Sequence, residues 1–260
     1  MTLGLVAAAL ALAVLGSGTE ERGDDVELAT PSASPTDGQG TGGVATTLPL
    51  PPAFPSTTTT PRHRSLVATV QGPSIEVFDT PDGGVPASRT FGNPRPSGAE
   101  QVFLVLGQRG DWLNVMLPMR PNGSTGWIRA GDVSLAGHDY RILVELGAHK
   151  LTVLKGDGIF HEEPVGVGVT NTPTPGGTFY TVELFASQKP AYGPYAYGLS
   201  GYSEVLYDFA GGDGQFGIHG TSDPSGLGSD VSNGCIRMSN EGITRLAETL
   251  PIGVPVEIRA

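Results

Sequence analysis

The chain has 260 residues, enough for one large or two modest domains, and its 39 glycines and 22 prolines favour short strands and turns over long helices. Its 26 acidic residues outnumber 15 basic ones, for a formal charge of −11, which speaks against the basic footprint of a nucleic-acid binder. Cysteine occurs once, so no internal disulfide can form.

In chain order, the first element is an apolar run, LGLVAAALALAVL at residues 3–15. It is shorter than the roughly 20 residues a membrane span needs. Residues 1–17 therefore read as a signal peptide or membrane-proximal leader, although no basic residue precedes the run. Ser17 stands where lipid attachment would need a cysteine, so lipidation is not expected. Residues 18–64 are rich in Pro, Ser, Thr and Gly, with Phe54 the only aromatic. Such a segment buries too little apolar surface to offset the entropy of ordering it, so it reads as a disordered linker. A leader followed by a long polar spacer points to export, to the cell wall or the outer face of the cytoplasmic membrane. The leader is also a candidate membrane tether.

Residues 65–137 carry apolar, β-branched clusters: LVATV (66–70), IEVFD (75–79), VFLVLGQ (102–108), WLNVML (112–117) and GWIRAGDVSL (126–135). Turn residues separate them, which predicts a small β-barrel. The stretch GDWLNVMLPMRPNGSTGWIRAGDVSL resembles the second half of a bacterial SH3-like domain, with Trp112 after a turn and Trp127 after a glycine. That resemblance allows wall-peptide binding or packing beside a catalytic domain. The simpler reading makes both tryptophans core aromatics.

Residues 138–260 also begin with strand patterns, at YRILVEL (140–146), KLTVL (150–154) and VGVGVT (165–170). NTPTPGGTFYTVE follows as a turn leading into another strand, a Tyr/Gly-rich stretch spans 192–207, and QFGIHG ends a strand at His219. SNEGITRLAETL is the one clear helix, with Asn240 as its expected cap, and VPVEIR (254–259) closes the chain as a strand. The fold class is mainly β throughout.

The single cysteine, Cys235, lies between Gly234 and Ile236, 16 positions after His219. A free thiol titrates near pH 8.5, so it needs a base or a positive neighbour to attack at neutral pH, and histidine is the usual partner. Gly234 lets the backbone turn sharply. The N–H groups around Asn233, Gly234 and Cys235 are candidates for an oxyanion hole. An unpaired thiol outside the cell is an oxidation liability, and chemistry is a reason to keep one. A buried inert cysteine fits the polar SNGC context poorly. A zinc site would need three or four ligands at short spacing, so no metal site is expected.

HGTSDPSGLGSDVSNGCIRMSN resembles the signature of L,D-transpeptidases with a YkuD-type catalytic domain: a histidine, a variable loop, then Ser/Thr-His-Gly-Cys and an apolar residue. NTPTPGGTFYTVE and YRILVELGAHKLTVLKGDG also look like the family, so the resemblance covers about residues 139–260. It implies Cys235 as the acyl-accepting nucleophile, His219 as its base, and the carbonyl of Gly220 as the group orienting the imidazole. Ser232 and Gly234 would hold the loop, and Arg237 would meet a substrate carboxylate or form a structural ion pair. Tyr195, Tyr197 and Tyr202 are candidates for lining the donor cleft or for packing. His138, His149 and His161 show no partner spacing and read as surface or linker residues. The signature's usual histidine two before the cysteine is Asn233 here, which predicts altered substrate contacts with activity retained.

The implied reaction is acyl transfer between peptidoglycan stem peptides, giving 3→3 cross-links in cell-wall biogenesis, with no metal or cofactor. Transfer to water (an L,D-carboxypeptidase) or to a protein amine (wall anchoring) uses the same acyl-enzyme. A non-catalytic wall-binding protein is the reading from a different class, favoured by Asn233 and opposed by the retention of His219 and Cys235.

Overall fold

A computed structural model describes residues 64–208 and 212–260. The leader (1–17) and nearly all of the expected linker (18–64) lie outside the described residues. The described chain is mainly β, as its patterning predicts, with a single α-helix among the described residues.

The first half contains seven strands: β1 (Ser65–Val70), β2 (Ser74–Val77), β3 (Arg89–Gly92), β4 (Val102–Arg109), β5 (Trp112–Met116), β6 (Thr125–Arg129) and β7 (Val133–His138). Five of them form an antiparallel sheet in the order β6-β5-β4-β1-β7, and β2 pairs with β3 as a separate ribbon. Alternate residues point inward. Ala68, Val70, Ile75, Val77, Phe103, Leu113, Val115 and Ile128 accordingly share one core. The expected single strand GWIRAGDVSL is two strands, split by a helical turn at Ala130–Asp132, and its halves lie at opposite ends of the strand order. A sheet this short can bury both flanks only if the chain crosses from one edge to the other. Trp112 is half-buried, edge-on to Phe78 at 5.0 Å, with the Arg129 guanidinium 4.5 Å over its ring. That packing fits a structural aromatic.

The second half contains β8 (Tyr140–Glu145), β9 (Lys150–Lys155), β10 (Gly158–Pro164), β11 (Val167–Gly168), β12 (Gly177–Ala186), β13 (Tyr195–Tyr202), β14 (Gln215–His219), β15 (Asp230–Ser232), β16 (Ile236–Arg237), the helix α1 (Asn240–Thr249) and β17 (Pro255–Arg259). An eight-stranded sheet runs β10-β9-β8-β17-β12-β13-β14-β16, and β11 pairs in parallel with β15 beside it. β12 is long enough to pair with β17 through its first half and β13 through its second, which joins the two wings of the sheet. Ile243, Leu246 and Leu250 of α1 and its C-terminus are spaced at helical intervals and pack into the core formed by Val144, Val153, Leu199, Ile218, Ile236 and Val256.

The helix begins one residue earlier than the capping pattern suggested. Ser239, not Asn240, is the cap, and its Oγ accepts the Gly242 N–H at 2.9 Å. The Glu163 carboxylate from β10 accepts the Ser239 N–H and hydroxyl at 2.9 and 2.8 Å. A carboxylate at a helix N-terminus is electrostatically favourable, and this one ties the start of α1 to the opposite edge of the sheet.

The two halves share buried surface. Val67, Val102, Leu104 and Met116 from the first cluster with Tyr180 and Val182 from β12. The Tyr180 hydroxyl is fully buried and lies 3.2 Å from the carbonyls of both Val102 and Met116. Arg120 donates to the carbonyls of Ser203, Leu206 and Asp213, and the Asn122 amide pairs both ways with the backbone of Tyr202. Removing one buried hydrogen-bonding hydroxyl at this seam should cost about 1–2 kcal/mol. Tyr180→Phe is therefore expected to unfold in a single transition at lower denaturant concentration than wild type. Two separated transitions in the wild-type protein would show that the halves unfold independently.

Candidate active site

β14 ends at His219 and β16 pairs with it in parallel, setting Ile218 opposite Ile236 and His219 opposite Arg237. Ile218 and Ile236 are fully buried in the core. Side chains alternate along a strand, so Gly217, His219, Cys235 and Arg237 belong to the other face. By the same register Cys235 falls beside Gly217, two positions from His219, or about 7 Å along the strands. Sixteen residues of chain thus return the cysteine to the neighbourhood of the histidine.

The loop between them is held at several points. Asn240 Oδ1 accepts the Thr221 N–H at 2.9 Å, and Asp223 accepts both the N–H and the hydroxyl of Ser225. His149 Nε2 lies 2.8 Å from Asp230, and Asp230 and Ser232 pair with Val167 and Gly168. Ser232 is buried; its hydroxyl accepts the Gly234 N–H at 3.1 Å and donates to the carbonyl of Cys235. Gly234 has φ +111°, a conformation that L-residues with a side chain rarely adopt. The Thr172 and Pro173 carbonyls of the NTPTPGG loop lie against it, and Thr172 Oγ1 is 3.4 Å from the exposed Asn233 amide oxygen.

Ser232 and Gly234, the residues expected to hold the loop, are joined in this hydrogen-bonded turn. The turn also corrects one expectation. The Gly234 N–H is engaged with Ser232, whereas the N–H groups of Asn233 and Cys235 have no acceptor among the described residues and remain the candidate donors.

His219 is 5% exposed, and its Nδ1 lies 2.6 Å from the carbonyl of Gly220. A carbonyl can only accept, so Nδ1 carries the proton and Nε2 presents a lone pair. Burial is the main cause that pushes the imidazole pKa down to about 4; the Gly220 carbonyl opposes the shift and the Arg237 charge adds to it. The Cys235 thiol is half-buried, and burial pushes its pKa up, against the downward pull of the Gly217 N–H and of Arg237. The resting site therefore holds a neutral imidazole and a neutral thiol, with no hydrogen bond between them among the described residues. Tyr192 lies over the imidazole, its ring centroid 4.5 Å away. Burial raises the phenol's pKa first, and the nearby Cys235 raises it further.

Arg237 is anchored by two 2.8 Å backbone hydrogen bonds to Gly166, while its Nε is shielded from solvent without a partner. No ion pair engages Arg237 among the described residues, so the structural-salt-bridge alternative is not realised. Tyr197 and Tyr202 do not line the cleft. Tyr197 is 1% exposed and donates to the carbonyl of Leu246 at 3.0 Å; Tyr202 is 9% exposed and donates to Pro118 at 3.1 Å. Both rings fill packing seams, because Gly-rich strands leave space beside them that aromatics occupy. Tyr195 is half-buried against the core.

Two histidines read as idle have partners instead: His149 with Asp230, and His161 with Glu163 at 3.3 Å. His138 is half-buried, and its Nδ1 accepts the Tyr140 N–H at 3.2 Å. Sequence reasoning missed Tyr192, whose only signal was its place in the PAYGP turn, and Thr172. Among the described residues no group of three or more His, Cys, Asp or Glu side chains is placed to hold a metal ion.

A lone cysteine on a clamped glycine loop, beside a buried histidine with its Nδ1 fixed by a carbonyl, defines the class as that of proteins with a thiol–imidazole site on a β-sheet edge. The model of the L,D-transpeptidase catalytic domain, YkuD, matches residues 139–258. The YkuD protein of Bacillus subtilis (strain 168) is 37% identical over 119 residues, 46% of this chain and 65% of that protein. YqjB of the same organism is 33% identical over 133 residues, 49% of this chain and 75% of that one. A solved L,D-transpeptidase from Mycobacterium smegmatis aligns with 61% of this chain and 90% of its own at 14% identity and a TM-score of 0.39. The chain belongs to the YkuD family of L,D-transpeptidase domains. It spans 65% of the length of the first of these relatives.

Because burial raises the thiol's pKa, alkylation of Cys235 by iodoacetamide at pH 7 should be slower than that of free cysteine and should keep rising beyond pH 9. Because the imidazole pKa is lowered, the profile should show no inflection near pH 6.5. Intact-mass kinetics across pH 5–10 measure both features.

Proposed function

We propose that the protein is a cysteine-dependent L,D-transpeptidase acting on peptidoglycan stem peptides. The observation that carries this reading is the pairing of a fixed tautomer with the strand register: the Gly220 carbonyl commits Nδ1 and leaves Nε2 as the lone-pair nitrogen, and the β14–β16 ladder brings the residue after Cys235 opposite Ile218, next to His219.

In the first half-reaction Nε2 takes the Cys235 proton as the sulfur attacks the carbonyl of the third stem residue. That residue is a diamino acid such as diaminopimelate. The N–H of Cys235, with that of Asn233, stabilises the tetrahedral oxyanion. Collapse breaks the amide bond, and the imidazolium protonates the departing terminal D-amino acid, leaving a thioester on Cys235. In the second half-reaction the side-chain amine of another stem attacks the thioester. His219 accepts its proton and returns it to the sulfur, which leaves as the thiol. The depressed imidazole pKa keeps the base unprotonated throughout the neutral range. The raised thiol pKa means that substrate arrival must help ionisation, and Arg237 supplies positive charge on the same face.

The apolar leader and the polar linker support a location outside the cytoplasm, at the wall or the outer membrane face, with the leader as tether. The small antiparallel sheet with its edge-on Phe78 and Trp112 supports an SH3-like assignment for residues 65–137.

Incubation with a purified disaccharide-tetrapeptide and mass spectrometry of the products tests the reading. A 3→3 linked dimer is expected. A tripeptide alone would mean an L,D-carboxypeptidase, and no reaction by folded protein would favour a wall-binding role. His219→Ala should slow acylation about 100-fold or more, the usual contribution of a positioned base. Asn233→His should remain active, since Asn233 is exposed and the loop is clamped by Ser232.

A further inference from the structure

Lys189 lies in the segment between β12 and β13, three residues before Tyr192. Its Nζ is shielded from solvent and has no hydrogen-bond partner, and no carboxylate forms an ion pair with it among the described residues. An ammonium removed from water without a counter-charge costs several kcal/mol. Among the described residues no acidic side chain is placed within ion-pair distance of it. Asp223, on the neighbouring loop, is turned to Ser225.

The segment is fixed against the catalytic residues. The Lys189 carbonyl accepts the Tyr192 N–H at 2.9 Å, and the Pro190 carbonyl accepts the N–H groups of Gly193 and Ser222. The Tyr195 carbonyl accepts the Gly220 N–H, and the Tyr192 ring covers His219. A Cβ on Gly193 would run into Gly220 and the Asn240 amide, so the turn after Lys189 touches the residue that orients the imidazole. A second unpartnered cationic nitrogen, Arg237 Nε, belongs to the residue paired with His219 across the β14–β16 ladder. Lys189 Nζ and Arg237 Nε are thus both withdrawn from solvent without a hydrogen-bond partner among the described residues.

We infer that Lys189 binds a carboxylate of the donor peptide and so sets donor specificity, alongside Arg237. This rests on the transpeptidase reading. Two carboxylates of a donor tetrapeptide could supply the anion: the one on the side chain of the third residue and the one on the terminal D-amino acid. A charge-assisted hydrogen bond is worth about 1.5–3 kcal/mol, or roughly 10- to 100-fold in affinity.

The test measures acyl-enzyme formation by intact mass for wild type, Lys189→Met and Lys189→Arg. Three donors are used: unmodified, amidated at the third residue's side-chain carboxylate, and amidated at the C-terminus. Wild type should discriminate about 10-fold or more against one of the amidated donors, chiefly through KM. Lys189→Met should lose that discrimination and bind the unmodified donor about 10-fold more weakly. Lys189→Arg should keep most of the preference. The thermal midpoint of Lys189→Met should be no lower than that of wild type, since the variant removes an uncompensated charge. A Lys189→Met protein that keeps the wild-type preference overturns the inference, while acyl-enzyme formation by wild type would leave the transpeptidase reading standing. No acyl-enzyme from wild type with any donor defeats both.

Discussion

Two residues, Ile236 and Arg237, pair in parallel with the end of β14, and Met238 extends the ladder by donating to the carbonyl of His219 at 2.9 Å. That short ladder converts a sixteen-residue separation into adjacency. Its register is enforced from the core side, where Ile218 and Ile236 are both fully buried. A slip of β16 by one residue against β14 would turn Cys235 toward the core and Ile236 toward the cleft. The apolar face of the sheet therefore decides which polar residues meet on the other face.

The remaining contacts hold the cysteine against this ladder. Ser232 bridges the N–H of Gly234 and the carbonyl of Cys235, and the left-handed turn at Gly234 lets the chain enter β16 at the required angle. Glu163 secures the start of α1 just beyond the ladder, so both ends of the nucleophile segment are pinned. The same packing that fixes the geometry also desolvates it. Burial pushes the thiol up and the imidazole down, which favours the uncharged pair at rest. Such a site is protected from adventitious oxidation, since the thiolate is the reactive form. Its reactivity then depends on charge and hydrogen bonds that a bound substrate contributes.

The N-terminal sheet is joined to the transpeptidase domain by more than a chain connection. Tyr180 inserts its hydroxyl between two carbonyls of the first half, and Arg120 gathers three carbonyls from the segment between β13 and β14 while its guanidinium lies over Tyr202 and Tyr207. β12 and β13 are the strands that receive these contacts, and β13 leads back from the turn carrying Tyr192. The first half thus buttresses the strands behind the candidate site.

The sequence by itself determined the β-rich class, most strand positions, the helix, and Cys235 and His219 as the pair to watch. Those properties follow from local signals: alternation, turn residues, helical spacing, and a lone thiol in a polar context. Only the tertiary structure decided that GWIRAGDVSL splits across two edges of a sheet, and that Tyr197 and Tyr202 pack inward. The same holds for Tyr192 covering the histidine, for Asp230 and Glu163 meeting His149 and His161, and for Lys189 Nζ and Arg237 Nε lacking hydrogen-bond partners among the described residues. Each of these depends on which strands become neighbours. Neighbour choice follows from how whole apolar faces pack together, so no short window of sequence contains it.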